Sequence, residues 1–264
     1  MATSASHTTQ QVFIGPVRLV LKSMRLAWLI LISIVLIPVA PLLGKQRAPT
    51  LVRWWYGCVL RLFNVDVRIH GQMPDTAVLI ATNHSSWLDI LVLGHVFDSV
   101  FISKAEVARW PIIGIYARAV GTLFLARGAN KTNETRAQIR ATFAHGHSVV
   151  LFAEGTTSRT LQPRRFHARL FAAAIDGKHP VLPVGVRYSD ANTPPAEHHP
   201  LVPWVNAPLL PNFCDVFRLP RLQADIVICP LIDSDGHNRR SIADASREAI
   251  CQHLSGANLN SPTN

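Results

Sequence analysis

The pattern of apolar and polar positions divides the chain near residue 65. Before that point, one long apolar segment covers 26–43, and helices are predicted over about 16–37 and 48–63. After it, short apolar runs alternate with longer amphipathic stretches, which is typical of a chain that alternates strands and helices. We therefore predict three parts: an N-terminal segment, a single α/β domain and a flexible polar tail, at 1–64, 65–254 and 255–264.

The pattern at 65–254 predicts an α/β fold with a largely parallel central sheet flanked by helices. Short apolar or alternating runs predict strands at 65–70, 77–82, 99–103, 122–126, 148–152, 181–186 and 224–228. Helices are predicted between them, at 87–97, 106–119, 134–144, 164–176 and 241–254. In such a sheet, ligand sites gather at the carboxyl ends of the strands.

The apolar segment at 26–43 is interrupted by Pro38 and Pro41. A helix that ends at Pro38 leaves an apolar stretch of only about 18 Å, whereas a bilayer core is about 30 Å thick. Basic residues flank the segment on both sides, including Arg18, Lys22 and Arg25 on one helical face. This pattern favours in-plane or re-entrant attachment to an anionic membrane surface, with one true span and an ordinary buried helix as alternatives. We expect the protein at the cell membrane, with its folded domain on the cytoplasmic face.

Composition narrows the possible partners. Apolar residues make up 48% of the chain and charged residues 16%, which excludes a disordered protein. The net charge of +10 suits an anionic membrane, an anionic substrate or nucleic acid. We do not expect nucleic acid, because the sequence has no aromatic–basic stripe. The cysteines, Cys58, Cys214, Cys229 and Cys251, form no CxxC pair and are expected to be free thiols in a reducing compartment.

His84 and Asp89 are the candidate acid–base pair. His84 follows a predicted strand and Asp89 lies in the first turn of the next predicted helix, so the turn between them can bring the two side chains together. A carboxylate on one ring nitrogen fixes the tautomer of a histidine that acts as a base. The spacing alone is weak support, because Asp89 also fits a helix-capping box with Ser86. The same spacing joins His70 to Asp75 across a turn, and we interpret that pair as a coincidence.

Further candidates follow other predicted strands. Glu154, Gly155 and Thr156 form a turn whose glycine allows close backbone approach and whose amides can face an anion. Lys104 and Arg127 each follow a strand and could contact a phosphate. Each feature, taken alone, also fits an ordinary turn or a solvated cation.

The remaining histidine clusters do not predict a metal site. His145 and His147, like the adjacent His198 and His199, lack the cysteine or carboxylate companions of a metal centre, and we expect all four at the surface. The sequence also has no GxSxG nucleophile elbow and no GxxxxGK[ST] nucleotide loop. We expect neither a metal nor another cofactor.

The motifs, taken in order, resemble the lysophosphatidic-acid acyltransferase branch of the glycerolipid acyltransferase family. The resemblance covers about residues 65–188. Asn83 to Asp89 is similar to that family's NHxxxxD motif, and GTLFLAR, FAEGTTS and HPVLPV are similar to the three motifs that follow it, at 121–127, 152–158 and 179–184. FHARLF, at 166–171, fits a further helix segment of the family.

The resemblance implies a role for each candidate residue. His84 would be the general base and Asp89 its orienting partner. Arg127 would contact a phosphate, and Glu154, Gly155 and Thr156 would bind the acceptor. Two positions depart from the family pattern: Ala153 replaces a proline, and Thr157 stands where many members have an arginine. The EGTTS form also resembles a subgroup that includes lyso-ornithine lipid acyltransferases.

The resemblance predicts an enzyme of phospholipid biosynthesis. It would move a fatty acyl group from acyl-CoA or acyl carrier protein to the free hydroxyl of a lysolipid. The first expected acceptor is 1-acyl-sn-glycerol 3-phosphate, with lyso-ornithine lipid as the alternative. A hypothesis of another class, a non-catalytic membrane protein that binds anionic lipid, is supported by the basic N-terminal face and by Thr157.

Overall fold

The structure is a computed structural model that describes residues 13–39, 44–111, 113–125, 129–194 and 196–255. The chain begins with two helices, α1 (Pro16–Val39) and α2 (Gly44–Leu62). Seven strands follow in the described part: β1 (Val65–His70), β2 (Leu79–Thr82), β3 (Ser99–Lys104), β4 (Leu123–Leu125), β5 (Ser148–Phe152), β6 (Val181–Ser189) and β7 (Leu222–Ile228). The helices among them are α3 (Leu88–Val96), α4 (Ile113–Ala119), α5 (Ala129–Ala144), α6 (Ala172–Gly177), α7 (Leu209–Arg218) and α8 (Arg239–Ser255).

The described strands form one sheet in the order β1-β7-β6-β2-β5-β3-β4. The five neighbouring strands β6, β2, β5, β3 and β4 run parallel to one another. β7 is antiparallel to β6, and β1 is parallel to β7. This confirms the predicted α/β fold with a largely parallel sheet. Helices cover both faces of the sheet, which explains why the central strands are almost continuously apolar.

The core has two layers, one on each face of the sheet. Ile80, Val150 and Leu182 point to one face, together with apolar residues of α3 and α7. Leu79, Val149 and Val181 point to the other, where α5, α6 and α8 pack. The alternation of side chains along each strand separates the two sets.

Two predicted helices are broken in the structure. The predicted helix at 106–119 is a 3₁₀ turn, Ala105–Arg109, followed by α4, because Pro111 cannot donate a backbone hydrogen bond. The predicted helix at 164–176 is reduced to a second 3₁₀ turn, Ala168–Phe171, and the short α6. Both segments lie beside the carboxyl end of the sheet, where they border the cavity described below.

The N-terminal helices pack on the domain. α2 contacts α3, and the ring of Tyr56 lies so close to Gly94 that a β-carbon added at that glycine would overlap the ring. α2 thus contributes to the hydrophobic core, although we assigned it to the N-terminal segment. The division of the chain at residue 64 remains a prediction, and the predicted tail at 255–264 lies almost entirely outside the described residues.

Within the described ranges, no helix is both long enough and apolar enough to cross a lipid bilayer.

Candidate active site

The candidate site lies at the carboxyl ends of β2 and β5, which are neighbours in the sheet. Thr82 and Phe152 are paired with each other in these strands. His84 and Glu154 each come two residues after this pair, so they leave the sheet at the same level. Glu154 Oε1 accepts a hydrogen bond from the His84 backbone amide at 3.0 Å. The sheet therefore brings together two of the motifs that the sequence separates by 70 residues.

His84 and Asp89 form the predicted pair. His84 Nδ1 lies 2.8 Å from Asp89 Oδ2, and the Asp89 side chain is fully buried whereas that of His84 is 18% exposed. The His84 ring stacks on Phe152, with centroids 3.9 Å apart. The strand-to-helix turn at 83–87 thus brings together two side chains that one continuous helix would hold on different faces.

Asp89 is ionised in this environment. Burial alone would raise its pKa, but hydrogen bonding to His84, attraction to its ring and the backbone amides of Ser86 and Ser85 together lower the pKa below its ordinary value. These amides donate to Oδ2 at 3.0 and 2.8 Å. An ionised carboxylate can only accept, so His84 Nδ1 carries a proton, and in the neutral ring the free lone pair is on Nε2.

The backbone of the His84 loop is fixed by contacts from three directions. Asn83 exchanges two hydrogen bonds with the backbone of Val186 on β6, at 2.9 and 2.8 Å. Ser158 donates its backbone amide to the His84 carbonyl at 2.8 Å, and Trp204 donates likewise to the Ser85 carbonyl. These contacts hold His84 in place without using its imidazole.

The Glu154 side chain accepts hydrogen bonds from two loops. The side chain is 3% exposed, and its Oε2 accepts the Arg164 amide at 2.9 Å while Oε1 accepts the His84 amide. Burial raises the pKa of Glu154, although the amides of Arg164 and His84 oppose that shift. The carboxylate joins two loops in this structure, and the acceptor contact that the resemblance implies for Glu154 stays a prediction.

A cavity of about 970 Å³ opens beside His84. Its walls are mainly apolar, from the ends of β3 and β5, the 3₁₀ turns and Trp204, and its charged lining residues are Lys104, Arg165, Arg169, Arg240 and Asp244. Gly155 and Thr156 line the same cavity. Gly155 has a φ of 66°, and an added β-carbon would lie 3.0 Å from His167 Cδ2, so this turn favours glycine.

The structure therefore brings together most of the predicted site residues. His84, Lys104, Gly155 and Thr156 share one cavity, and Asp89 lies behind His84. Arg127 lies outside the described residues.

Two residues of the site were missed in the sequence. Tyr188 on β6 is fully buried and donates its hydroxyl to Asp89 Oδ1 at 2.8 Å. His198, which we expected at the surface, is buried, and its Nδ1 accepts the Tyr188 amide at 3.3 Å. His199 is also buried, so the surface prediction was wrong for this dipeptide. No spacing signal could have found Tyr188, which lies 99 residues from Asp89.

Comparisons with known proteins show which family and fold this chain resembles. The sequence profile of the family described as "Acyltransferase" matches residues 64–187. A lyso-ornithine lipid O-acyltransferase of Pseudomonas aeruginosa is 31% identical over 90% of this chain and 94% of its own length. A 1-acyl-sn-glycerol-3-phosphate acyltransferase of Neisseria gonorrhoeae is 40% identical over 55% of this chain and 58% of its own. The crystal structure of PlsC, the 1-acyl-sn-glycerophosphate acyltransferase of Thermotoga maritima, superposes with a TM-score of 0.67 over 94% of this chain and 99% of PlsC, at 17% identity, which indicates the same fold.

Proposed function

Because this chain belongs to the acyltransferase family, we propose that it moves a fatty acyl group from a thioester donor to the free hydroxyl of a lysolipid, with His84 as the general base. The observation that carries the proposal is the His84–Asp89 pair beside an apolar cavity. A cavity with apolar walls and a charged rim suits a molecule with acyl chains and a polar head group.

The proposed reaction uses the free lone pair of His84. Nε2 takes the proton of the lysolipid hydroxyl, and the oxygen attacks the thioester carbonyl carbon. A carbon–oxygen bond forms, the carbon–sulfur bond breaks, and the thiolate that leaves takes its proton from the imidazolium. Asp89 stabilises that imidazolium and holds the ring in place, as carboxylates do in other histidine-base enzymes. No acyl-enzyme and no cofactor are needed, and the donor is acyl-CoA or acyl carrier protein.

Between the two acceptors that the sequence leaves open, we favour lyso-ornithine lipid. Relatives with that acceptor in their names match this chain over 90% and 86% of its length, whereas the Neisseria relatives named for 1-acyl-sn-glycerol 3-phosphate match about half of it. An ornithine head group carries both a carboxylate and an ammonium. The rim offers both charge signs, since Asp244 on α8 lines the cavity together with Arg240, 3.9 Å away. Lysophosphatidic acid is the second candidate, because four cations line the same rim.

The membrane attachment proposed here is supported by the apolar outward side of α1. The side that faces the protein holds Leu19, Leu26 and Leu29, which pack against the core, and the buried Lys22 and Ser33. Lys22 Nζ donates to the Phe217 carbonyl, and Ser33 Oγ accepts from Trp55 Nε1. The outward side holds large apolar residues, among them Met24, Trp28 and Leu31, which are 64%, 64% and 53% exposed. The outward side of a helix in water is normally polar. We infer that this side lies in the interface of the cell membrane, on the cytoplasmic face.

The first experiment measures acyl transfer directly. Purified protein in mixed micelles receives an acyl-CoA, or an acyl carrier protein thioester, with lyso-ornithine lipid or lysophosphatidic acid. We expect thiol release that requires a lysolipid, with the diacyl product detected by mass spectrometry. Thiol release without acceptor would indicate a hydrolase instead, and no release with either donor would indicate a lipid-binding protein.

The choice of acceptor is tested with Asp244→Asn. We expect the ratio of kcat/KM for lyso-ornithine lipid to that for lysophosphatidic acid to fall about 3- to 5-fold, as for the loss of one exposed ion pair. Glu248→Gln is the matched control, because Glu248 lies one turn further along α8 and is also exposed. An unchanged ratio in Asp244→Asn would remove Asp244 from head-group recognition.

Membrane attachment is tested by Leu31→Glu in a sedimentation assay with anionic vesicles. We expect clearly weaker binding, because a carboxylate would enter the apolar interface. Leu231→Glu is the matched control, since Leu231 is 51% exposed and belongs to another part of the surface. Equal binding of the two variants would contradict the proposed orientation of α1.

A further inference from the structure

Tyr188 makes a direct contact with the partner of the proposed base. Its hydroxyl donates to Asp89 Oδ1 at 2.8 Å, and both side chains are completely buried. His84 binds the other carboxylate oxygen, Oδ2. The hydroxyl, the carboxylate and the imidazole therefore form a continuous chain of hydrogen bonds that ends at the cavity.

The two oxygens of Asp89 are held unequally. Oδ2 receives His84 Nδ1 and the amides of Ser85 and Ser86 within 3.0 Å. Oδ1 receives the Tyr188 hydroxyl at 2.8 Å and the Ser85 hydroxyl only at 3.4 Å. Tyr188 is thus the donor in close contact with Oδ1, and without it that oxygen would be poorly solvated in a dry interior.

We propose that Tyr188 is a positioning residue for acyl transfer: its hydroxyl fixes the rotation of the Asp89 carboxylate and draws negative charge toward Oδ1, so that His84 stays neutral when the acceptor binds. The inference rests on the proposed function of His84. The positive end of the O–H dipole points at the pair, which stabilises an ionised Asp89 beside a neutral ring and disfavours the imidazolium. Burial, the charge of Asp89 and this hydrogen bond together raise the pKa of Tyr188 well above its ordinary value, so the hydroxyl remains a donor.

Other titratable groups face the pair from several elements. Glu154, after β5, touches the His84 amide, and His198 lies beside Tyr188. The cavity that His84 borders also has Lys104, Arg165, His167, Arg169, Arg240 and Asp244 in its walls. The Tyr188→Phe substitution leaves all of these groups in the chain and removes only the Tyr188 hydroxyl. A shift in the pH profile of that variant would therefore report the loss of the hydroxyl.

The test is the pH profile of kcat/KM, whose acid limb reports the free enzyme's base. In Tyr188→Phe we expect this limb to move up by about 0.5 to 1 pH unit and kcat to fall about 10-fold, with the acceptor KM within about 2-fold. Tyr56→Phe is the matched control, because Tyr56 is a buried tyrosine on α2. An acid limb in Tyr188→Phe that coincides with the wild type would overturn the inference.

A second measurement does not depend on the folding of that variant. The chain has three tyrosines, so growth on 3-fluorotyrosine makes every phenol a stronger donor without changing its shape. We expect the acid limb of the fluorinated enzyme to move to lower pH, and an unchanged limb would contradict the inference. If the wild-type enzyme transfers acyl groups but neither shift occurs, this inference fails alone; if it transfers none, the proposed function fails.

Discussion

The molecule holds two buried histidine–aspartate pairs of nearly the same length. His84 Nδ1 lies 2.8 Å from Asp89 Oδ2, and His70 Nε2 lies 3.0 Å from Asp225 Oδ1. Both aspartate side chains are fully buried. The His70 spacing to Asp75 in the sequence is a coincidence, as we expected, since the actual partner of His70 is on β7.

The two pairs differ in access and in charge. His84 borders the cavity and is 18% exposed, whereas the His70 side chain is 8% exposed and its Nδ1 is buried. Asp225 also accepts from Gln223 and lies 3.7 Å from Arg187, so a cation already balances its charge. Because Arg187 and Tyr188 are consecutive in β6, the two aspartates lie on opposite faces of the sheet. A histidine–carboxylate contact suits base catalysis only where the second ring nitrogen reaches a substrate.

The two histidine–aspartate pairs should differ most clearly when each histidine is removed in turn. In His84→Ala we expect kcat to fall about 10²- to 10⁴-fold, because the proposed base is lost, with the fold retained. In His70→Ala we expect kcat within about 3-fold of the wild type and a lower stability, because Asp225 loses a buried partner. The acyl-transfer assay and thermal unfolding measure both variants. Near-normal transfer by His84→Ala would refute the assignment of the base.

A second test asks how acid affects the surroundings of Asp89. The pKa of His198 is lowered from its ordinary value of 6.5 to about 4. Burial is the main cause and the charge of Arg187 adds to it, whereas the charge of Asp89 opposes the shift. The unfolded chain takes up this proton near pH 6.5 and the native protein only near pH 4, so stability falls as the pH drops between those values. At pH 4 the free energy of unfolding has lost about 3 kcal/mol through His198, since each unit of pKa difference contributes about 1.36 kcal/mol.

His198→Asn measures that loss, since the asparagine oxygen can replace Nδ1 as the acceptor for the Tyr188 amide. Urea unfolding at pH 7 and pH 4.5 should show a smaller acid-induced loss in the variant than in the wild type. The same substitution at His70, which has an aspartate on its ring, is the control. Parallel losses in His198→Asn and the wild type would contradict the expectation.

A third test concerns Glu154, which holds the His84 loop, whereas His70 lies in a regular strand. In Glu154→Gln one of the two amides at 2.9 and 3.0 Å would face an NH₂ group, so we expect a loss of about 1–2 kcal/mol of stability. We expect kcat to fall about 10-fold, since the His84 backbone would shift, while the acceptor KM stays nearly constant. A large rise in KM with constant kcat would instead support the acceptor contact that the resemblance implied.

Much of the fold could be predicted because the relevant signals are local. Apolar runs and turn residues located the strands, and one strand-to-helix turn placed Asp89 behind His84. The prediction failed where packing outweighed helix periodicity, as at 164–176, where α6 and a 3₁₀ turn replace one long helix. Residues 165–170 line the cavity rather than one side of a helix, and only α6 remains α-helical.

The α/β alternation, the His84–Asp89 pair and the glycine turn after Glu154 could be predicted from the amino-acid sequence, because each depends on residues within one or two adjacent elements. Three contacts became visible only in the folded chain: Tyr188 donates to Asp89, Asn83 bonds to Val186 and Glu154 holds the His84 loop. These contacts join residues 99, 103 and 70 positions apart. The order of strands in the sheet sets such distances, and no spacing along the chain encodes that order.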